Sequence, residues 1–401
     1  MAKRRPINAE QTAVELAPRA STPSQRQRRR SPAALKAIAG LVIVAVVFLA
    51  AAILGGGSGQ DSDTSATPLI SAGGQGTEAT GSPVITASNN TTRIGASDPA
   101  ATGAAVALAV YPSTNRSQRP GKVALVGETW QGAVAAAVLM APPIRAPLLV
   151  SSGDGPSPAS EQALSALQPK DVLRTAGATA ADQAAEIEGL RESLFGGPPK
   201  HLVIAAEDDP AFAVPAAAWA ARSADPVLYS QTDKLPAATV AVLKDHPRVP
   251  VYVLGPTSVI SSSVMREIEE ISRRVRRVAG RTPATNALAL ARYSAGSFGW
   301  NVNDPGHGFV IARGDAPLNA ALAAPLSASG TWGPLLLTES ADKLPRAVRQ
   351  YLLDVKPGYT TDPTRAFYNH AWIVGDESEI DADQQAEINQ LAELAKVGGE
   401  G

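Results

Sequence analysis

One pattern occurs three times in this chain: an apolar run, a turn with Gly or an acidic residue, an Ala-rich stretch, a proline and a second apolar run. The copies lie at 122–152, 201–231 and 308–340. The first run and the proline are 24 residues apart in two copies and 25 apart in the third. Near-constant spacing between copies that share few residues indicates one supersecondary unit used three times.

Each copy has the pattern of alternating strands and helices. The first runs, such as Val123–Val126, are short and uniformly apolar, as expected for strands buried on both faces of a parallel sheet. The proline begins a second strand, and a third strand follows at Val251–Gly255 and Trp372–Gly375, with a weaker candidate at Val172–Gly177. This alternation predicts an α/β fold of three βαβ modules.

The N-terminal region has the pattern of a membrane anchor. Residues 37–54 are 18 uncharged, apolar residues, enough for about 27 Å of helix. Residues 1–54 hold nine Lys and Arg against two Glu, and all nine precede or begin the apolar run. The positive-inside rule therefore predicts a single-pass protein with a cytoplasmic N-terminus and an extracytoplasmic bulk. A cleaved signal peptide is the alternative.

The domain organisation follows from these patterns. Residues 55–90 are rich in Gly, Ser and Thr and are expected to form a flexible linker. The predicted units are a basic cytoplasmic tail (1–36), a transmembrane helix (37–54), the linker, and repeat modules at 91–195, 196–276 and 277–397.

Composition excludes several classes of protein. The chain has no cysteine, so it has neither disulfides nor thiolate chemistry. Its charge is basic at one end and acidic elsewhere, which is not the profile of a nucleic-acid-binding protein.

The order of the motifs resembles the cell wall-binding repeat 2 family of Gram-positive bacteria. Segments 92–102 and 277–285 are similar to the R-(I/L)-(A/G)-G phrase that opens its repeats. The Gly127-Glu128 turn, the proline strands, the Leu-Pro helix starts and the strand-ending glycines follow in the family's order. The resemblance implies Rossmann-like modules around a pseudo-threefold axis and noncovalent attachment to an anionic wall polymer.

The chain departs from the family at several positions. Pro99 and Pro283 each begin a Pro-Ala pair that replaces the family's Arg-Tyr. Gly132 and Asn319 stand where the family has an acidic residue, and copy two shows no opening Arg phrase. These losses concern the ligand more than the fold.

No motif for catalysis or for a cofactor emerges. The first βα turns are not GxGxxG, there is no GxSxG elbow, and the four histidines are far apart in sequence. We therefore expect no enzyme activity, no cofactor and no metal. The acidic run at 376–383 suits either Ca²⁺ or, as we favour, a solvated helix start.

Candidate ligand-binding residues follow the strands, because open α/β sheets bind ligands beyond the carboxyl ends of their strands. An arginine cluster near 273–277 suits either anions of a wall polymer or, as we favour, a solvated helix face neutralised by glutamates. The loop aromatics suit either sugars or packing between modules, and we favour packing. The candidates are Glu128, Trp130, Ser151, Glu207, Asp208, Arg273, Arg277, Arg313, Asp315 and Thr338.

The sequence thus predicts non-catalytic binding of a cell-wall polymer, anionic or glycan, by a membrane-anchored extracytoplasmic domain that links the membrane to the wall. The bilayer would be contacted through residues 37–54, and no nucleic acid is expected as a partner. A scaffold of degenerate repeats that binds an envelope protein is the alternative.

Overall fold

The structure, a computed structural model, describes residues 84–397. The predicted cytoplasmic tail, the predicted transmembrane helix and most of the predicted linker lie outside these residues. Within the described residues, none of the helices has the length and apolar character that a bilayer crossing requires.

The described residues form an α/β protein with several parallel sheets, which confirms the predicted class. The strands are β1 Val84–Ala87, β2 Thr91–Gly95, β3 Lys122–Val126, β4 Leu148–Ser152, β5 Gly155–Pro156, β6 Asp171–Arg174, β7 Leu202–Ala206, β8 Val227–Ser230, β9 Val251–Leu254, β10 Val275–Val278, β11 Gly308–Arg313, β12 Leu335–Thr338, β13 Gly358–Tyr359, β14 His370–Val374 and β15 Ala395–Lys396.

The helices begin mostly at prolines or at capped positions, as the sequence suggests. They are α1 Pro99–Val110, α2 Trp130–Ala136, α3 Pro158–Leu167, α4 Ala180–Phe195, α5 Pro210–Ala213, α6 Pro215–Ser223, α7 Ala237–Asp245, α8 Ser262–Ile271, α9 Pro283–Arg292, α10 Pro317–Leu322, α11 Ala324–Ser327, α12 Arg346–Asp354 and α13 Ala382–Ala392. Short 3-10 helices span Arg116–Gln118, Ala137–Met140 and Pro363–Arg365.

Three sheets carry the fold, and their main strands are parallel. The first has the order β6-β3-β4, with the two-residue β5 antiparallel to β4. The second has the order β10-β9-β7-β8, and the third has the order β2-β14-β11-β12 with β1 antiparallel at its edge. Runs such as β7 and β8 are buried throughout, because helices cover both faces of a parallel sheet.

The sheets cut across the sequence repeats. Strand β2, at the start of the first repeat, pairs with β14 of the third repeat, Thr92 opposite Trp372 and Ile94 opposite Val374. Strand β10 likewise completes the sheet of the second repeat although residue 277 begins the third. The two ends of the described chain are thereby joined in one sheet.

The sequence before copy two, where no opening Arg phrase was expected, contains a related segment. Arg174-Thr175-Ala176-Gly177 stands there, and a Cβ added at Gly177 would lie 2.4 Å from the backbone of Gln183, six residues on. A Cβ added at Gly280 would likewise lie 2.3 Å from the backbone nitrogen of Asn286, also six residues on. Both positions therefore require glycine. Strand β6 thus leads into a segment like those after β2 and β10, while it pairs with β3 at the place that β9 and β14 take beside β7 and β11.

The helices that follow the first strands meet in the centre of the molecule. Helix α6 contacts both the Ala137–Met140 turn and α11, and α10 contacts α2. Their alanines are almost completely buried, including those at 133, 135–137, 216–218, 320, 321 and 323. Small side chains let these helices approach one another closely, which explains the Ala-rich stretches of the repeat.

The linker prediction needs one correction. Residues 84–87, placed in the flexible linker, form the edge strand β1, with Ile85 opposite Ile94 and Thr86 opposite Arg93. The β-branched residues Val84, Ile85 and Thr86 favour a strand once β2 offers an edge. Sequence composition alone did not reveal that edge.

Candidate functional site

A cleft of about 470 Å³ lies at the carboxyl ends of the strands, where the first and third repeats meet. Its walls come from the loops that follow β2, β3, β11 and β14. The lining residues are Ser97, Pro99, Glu128, Thr129, Trp130, Gln131, Ala316, Pro317, Leu318, Asn319 and Glu379. This is the edge at which the sequence predicted ligand binding.

Two side chains on one wall hold polar atoms that lack partners. Asn319 Nδ2 donates to Glu379 Oε1 at 2.9 Å and to the Ala96 carbonyl at 3.3 Å. The other oxygens, Asn319 Oδ1 and Glu379 Oε2, are buried and have no hydrogen bond within the described residues. Asn319 is only 3% exposed. A buried acceptor without a donor is costly, so this wall is suited to a ligand that donates hydrogen bonds.

Glu379 has an unusual protonation state. Its pKa is raised to about 7, mainly by burial and also by the nearby Asp376 and Asp315 carboxylates, while Asn319 and Arg313 oppose the shift. At neutral pH the side chain is therefore present in both its protonated and its ionised form. The protonated form can donate a hydrogen bond as well as accept one.

Arg313 supports this wall from behind. Its guanidinium donates to both carboxylate oxygens of Asp315, through Nε at 2.9 Å and through Nη2, and to the Glu379 carbonyl at 3.2 Å. Its charge is thus neutralised by Asp315, which is exposed. Both predicted residues lie next to the cleft and neither is among the residues that line it.

The opposite wall carries two of the predicted residues. Glu128 is exposed, and Trp130 is half-buried at the start of α2. The Trp130 ring meets the buried Tyr229 ring edge-on, with centroids 6.0 Å apart, and Tyr229 donates to the Gln131 carbonyl at 2.6 Å. The second repeat therefore holds this wall in place, and one face of Trp130 remains in the cleft.

Four other predicted residues lie outside the cleft, two on the loop after β7 and two near the ends of β4 and β12. Glu207 and Asp208 follow β7, and burial raises the pKa of Glu207. Ser151 Oγ donates to the Val126 carbonyl at 3.0 Å, and Thr338 Oγ1 donates to the Ser340 carbonyl at 3.1 Å. These two hydroxyls fix the turns after β4 and β12.

The two arginines of the predicted cluster, Arg273 and Arg277, lie toward opposite ends of β10. Arg273 is exposed and precedes β10, so it lies toward the amino ends of the strands, away from the cleft. Arg277 donates to the Gly255 carbonyl at 2.6 Å, and Arg93 contacts the Gly375 and Asp376 carbonyls in the same way in the third sheet. Arg277 and Arg93 therefore hold loops, and the predicted arginine cluster does not form one site.

The acidic run after β14 is spread over different partners. Asp376 accepts from Ser378 and from the Ser97 amide, and these bonds lower its pKa, with Ser378 the larger cause. Asp381 caps α13 through the Gln384 amide. The run thus forms a loop and a helix start, the reading we favoured over Ca²⁺.

One group of metal-ligand side chains occurs elsewhere among the described residues, at Glu188, Glu192 and His246. Arg191 Nε already donates to Glu188 Oε2 at 2.7 Å, and both side chains are 3% exposed. Burial raises the pKa of Glu188 to about 7. The arginine thus takes one carboxylate oxygen of Glu188, while the other, Oε1, lies 3.5 Å from His246 Nε2.

Sequence reasoning missed the two central residues of the cleft as binding candidates. Asn319 was noted only as a departure from a family, and Glu379 only as part of the acidic run. The available signal was the comparison between repeats: Glu379 stands where the second repeat has Val259, and Asn319 stands where it has Phe212. A polar pair in place of an apolar pair marks this wall as different.

The solved structures that resemble this chain share its fold at low sequence identity. Cwp8 from Clostridium difficile is 17% identical, with a TM-score of 0.55 over 76% of this chain and 51% of that one. Cwp6 from Clostridium difficile is 16% identical, with a TM-score of 0.60 over 76% of this chain and 47% of that one. This chain thus spans about half the length of each. No curated protein sequence matches it.

One segment of the chain matches a protein family directly. Residues 174–265 match the model of cell wall binding domain 2 (CWB2). The match begins at Arg174, the residue that opens the second repeat through β6, and ends within α8. The resemblance seen in the order of motifs is confirmed: the chain carries a cell wall binding domain 2 at residues 174–265.

Proposed function

We propose that this protein binds a cell-wall polymer noncovalently in the cleft between its first and third repeats. The family match and the fold of the similar structures support wall binding in general. The unpaired Asn319 Oδ1 and Glu379 Oε2 carry the proposal for the cleft, because a ligand that supplies donors removes their cost. Binding at this cleft needs no chemistry.

The chemistry of the lining favours sugar hydroxyls over anionic groups of the polymer. The charged side chains that line the cleft are Glu128 and Glu379, and its described lining includes neither lysine nor arginine. Phosphate or carboxylate groups would meet like charge, whereas hydroxyls donate to the two free acceptors. The exposed face of Trp130 offers an apolar platform for a sugar ring.

We further propose the wider arrangement predicted from the sequence. The uncharged segment 37–54 and the basic residues before it support a membrane anchor with the repeats outside the cell. The mutual packing of the central helices supports Rossmann-like modules around a pseudo-threefold axis. The protein would then tie the membrane to the wall. An envelope-protein partner stays a prediction.

Sedimentation with purified wall sacculi tests the proposal. The full chain in mild detergent should pellet with sacculi, and should remain soluble when the secondary polymers have been stripped from them. Asn319→Leu, which fills the wall with an apolar side chain, should weaken binding about tenfold through the lost hydrogen bond. Glu339→Gln, on an exposed turn outside the cleft, is the matched control. Failure of the wild-type chain to pellet with any wall fraction would overturn wall binding.

A further inference from the structure

A second cleft lies on the other side of the molecule, toward the amino ends of β7 and β8. Its volume is about 300 Å³, and the insert at 294–307 forms one of its walls. The lining residues are Lys200, His201, Trp219, Arg222, Ser223, Asp225, Ser297, Gly299, Trp300 and Trp332. It shares no residue with the cleft between the first and third repeats.

A buried aspartate fixes a histidine in this second cleft. Asp225, 1% exposed, accepts from the His201 amide at 3.1 Å and from the Trp219 indole at 2.9 Å. Its Oδ2 is 2.9 Å from His201 Nδ1. A carboxylate only accepts hydrogen bonds, so Nδ1 must carry a proton. In the neutral ring the lone pair then lies on Nε2.

A serine hydroxyl is the partner of that lone pair. Ser297 Oγ is 3.2 Å from His201 Nε2, and because Nε2 accepts, the hydroxyl must donate. Ser297 lies in the insert and is exposed, whereas His201 is 7% exposed. The three side chains thus form a chain of hydrogen bonds from a buried carboxylate to a hydroxyl in contact with solvent.

The rest of the second cleft offers groups that suit a sugar ester. Trp300 is 5% exposed, and its Nε1 makes no hydrogen bond within the described residues although it is buried. The Trp300 and Trp332 rings stack with centroids 6.1 Å apart, and the Arg222 guanidinium lies 4.5 Å from the Trp332 ring. The lining of the cleft that contains the serine therefore also includes two indole rings and a cation.

We propose that Ser297, His201 and Asp225 form a nucleophilic triad that hydrolyses a carboxylic ester on a sugar hydroxyl. The geometry is that of a serine held by a histidine base, which is in turn oriented by a buried carboxylate. This activity is separate from polymer binding in the other cleft and does not rest on it.

The reaction proceeds in two balanced halves. Ser297 Oγ bonds to the ester carbonyl carbon while its proton passes to His201 Nε2, and the carbonyl oxygen becomes an oxyanion. The sugar oxygen then leaves with that proton, and the acyl group stays on Ser297. Water next bonds to the acyl carbon, and its proton returns through His201 to Ser297 Oγ. The acyl–serine bond breaks and a carboxylic acid is released.

A cysteine scan of two serines in the insert tests whether His201 activates position 297. The chain has no cysteine, so Ser297→Cys in the full chain introduces a unique thiol. A thiol paired with His201 should be largely thiolate at pH 7 and react with iodoacetamide about tenfold faster than an ordinary exposed thiol. Ser294→Cys, three residues away and exposed, is the matched control. Equal rates for the two thiols would overturn the proposal.

Hydrolysis of p-nitrophenyl acetate tests the chemistry itself. The full chain should release p-nitrophenol, and Ser297→Ala should lower kcat/KM by about 100-fold or more, because the nucleophile is lost. Since Ser297 is exposed, its removal leaves no cavity in the core. Ser294→Ala should retain the wild-type rate. The triad is refuted if the wild-type chain is inactive, or if Ser297→Ala is as active as wild type.

Discussion

The sheets of the second and third repeats have the same strand order and the same arginine contact, but they differ in two side chains at their carboxyl edge. Both have four parallel strands in the same order, and in both an arginine of the fourth strand, Arg277 or Arg93, holds the loop after the third strand. At the carboxyl edge the second repeat has the apolar pair Phe212 and Val259, and the third has Asn319 and Glu379. The strand order and the arginine contact are thus independent of the side chains that could bind a ligand.

The difference extends to how each sheet is completed. The second sheet takes its fourth strand from residues 275–278, which follow directly along the chain. The third takes it from residues 91–95, nearly three hundred residues away in the sequence. The arginine at that remote junction is buried, whereas Arg277 is only half-buried. The strand pairing that joins the two ends of the described chain is therefore distinct from the side chains that could bind a ligand.

The largest expected effect is on stability, from Arg93→Ala. Arg93 is 4% exposed and donates to the Gly375, Asp376 and Ile380 carbonyls, with the last distance 2.6 Å. Its loss should lower the free energy of unfolding by about 3–4 kcal/mol, because buried carbonyls lose their donors. Arg277→Ala should cost about 1–2 kcal/mol. Urea unfolding of the full chain measures both, and equal losses would contradict a special role for the remote junction.

Replacing the polar pair of the third repeat by the apolar pair of the second should weaken wall binding strongly, with little loss of stability. In Asn319→Phe/Glu379→Val the unpaired acceptors disappear, and wall binding should fall about 30-fold, or 2 kcal/mol. Val259→Ala is the control: it should cost about 2 kcal/mol of stability and leave binding unchanged. Sedimentation with sacculi and urea unfolding separate the two effects. Wild-type binding by the double variant would show that the polymer lies elsewhere.

Matched glycines sharpen the same comparison. Gly375 and Gly255 end the third strands with φ of +101° and +114°, so alanine is strained at either position, by about 1–2 kcal/mol. At Gly375 the new Cβ would also lie 1.7 Å from Glu379 Oε2, whereas at Gly255 it would lie 3.3 Å from Val259 Cγ1. We expect Gly375→Ala to displace the carboxylate and weaken wall binding several-fold, and Gly255→Ala to bind normally. Similar binding by both variants would argue against Glu379.

The last difference is a pH dependence of stability, which the third repeat's wall has through Glu379 and the apolar wall of the second repeat lacks. An unfolded glutamate titrates near 4.5, but the pKa of Glu379 is about 7 in the folded protein. Between these values the unfolded chain loses a proton that the folded chain keeps, so stability falls as pH rises and levels off above about 7. Glu379→Gln has no proton to lose.

The measurement is the difference between the unfolding free energies of Glu379→Gln and wild type. It should grow from about pH 4.5 to about pH 7. Glu188 also has a raised pKa of about 7, but it is present in both proteins and cancels in the difference. A difference that is constant with pH would contradict the raised pKa of Glu379.

The sequence predicted those parts of the fold that depend on local pattern. The runs at β3, β7 and β11 were recognised as buried strands because they are uniformly apolar, and the proline strands because their spacing recurs. Glu128 and Trp130 were placed at the cleft because a residue after a parallel strand lies at its carboxyl edge. These inferences need no knowledge of distant partners.

The sites depend on partners that local pattern does not reveal. Asn319 and Glu379 are 60 residues apart, and their free acceptors are defined by burial. His201 and Ser297 are 96 residues apart. Ser297 lies in the insert at 294–307, which the sequence showed only as an interruption of the repeat. Strand β6 was only a weak candidate, because its residues are less apolar than those of β9 and β14.

By itself, the sequence determined that this protein is an α/β chain, and it predicted three related units with the order of motifs of a wall-binding family. This was possible because buried strands and closely packed helices require apolar residues, alanines and prolines at regularly spaced positions in the sequence. Only the tertiary structure decided that β2 closes the third sheet and which polar atoms lie together unpaired. Those outcomes depend on packing between segments remote in the chain, where hydrogen-bond geometry and burial have no counterpart in local composition.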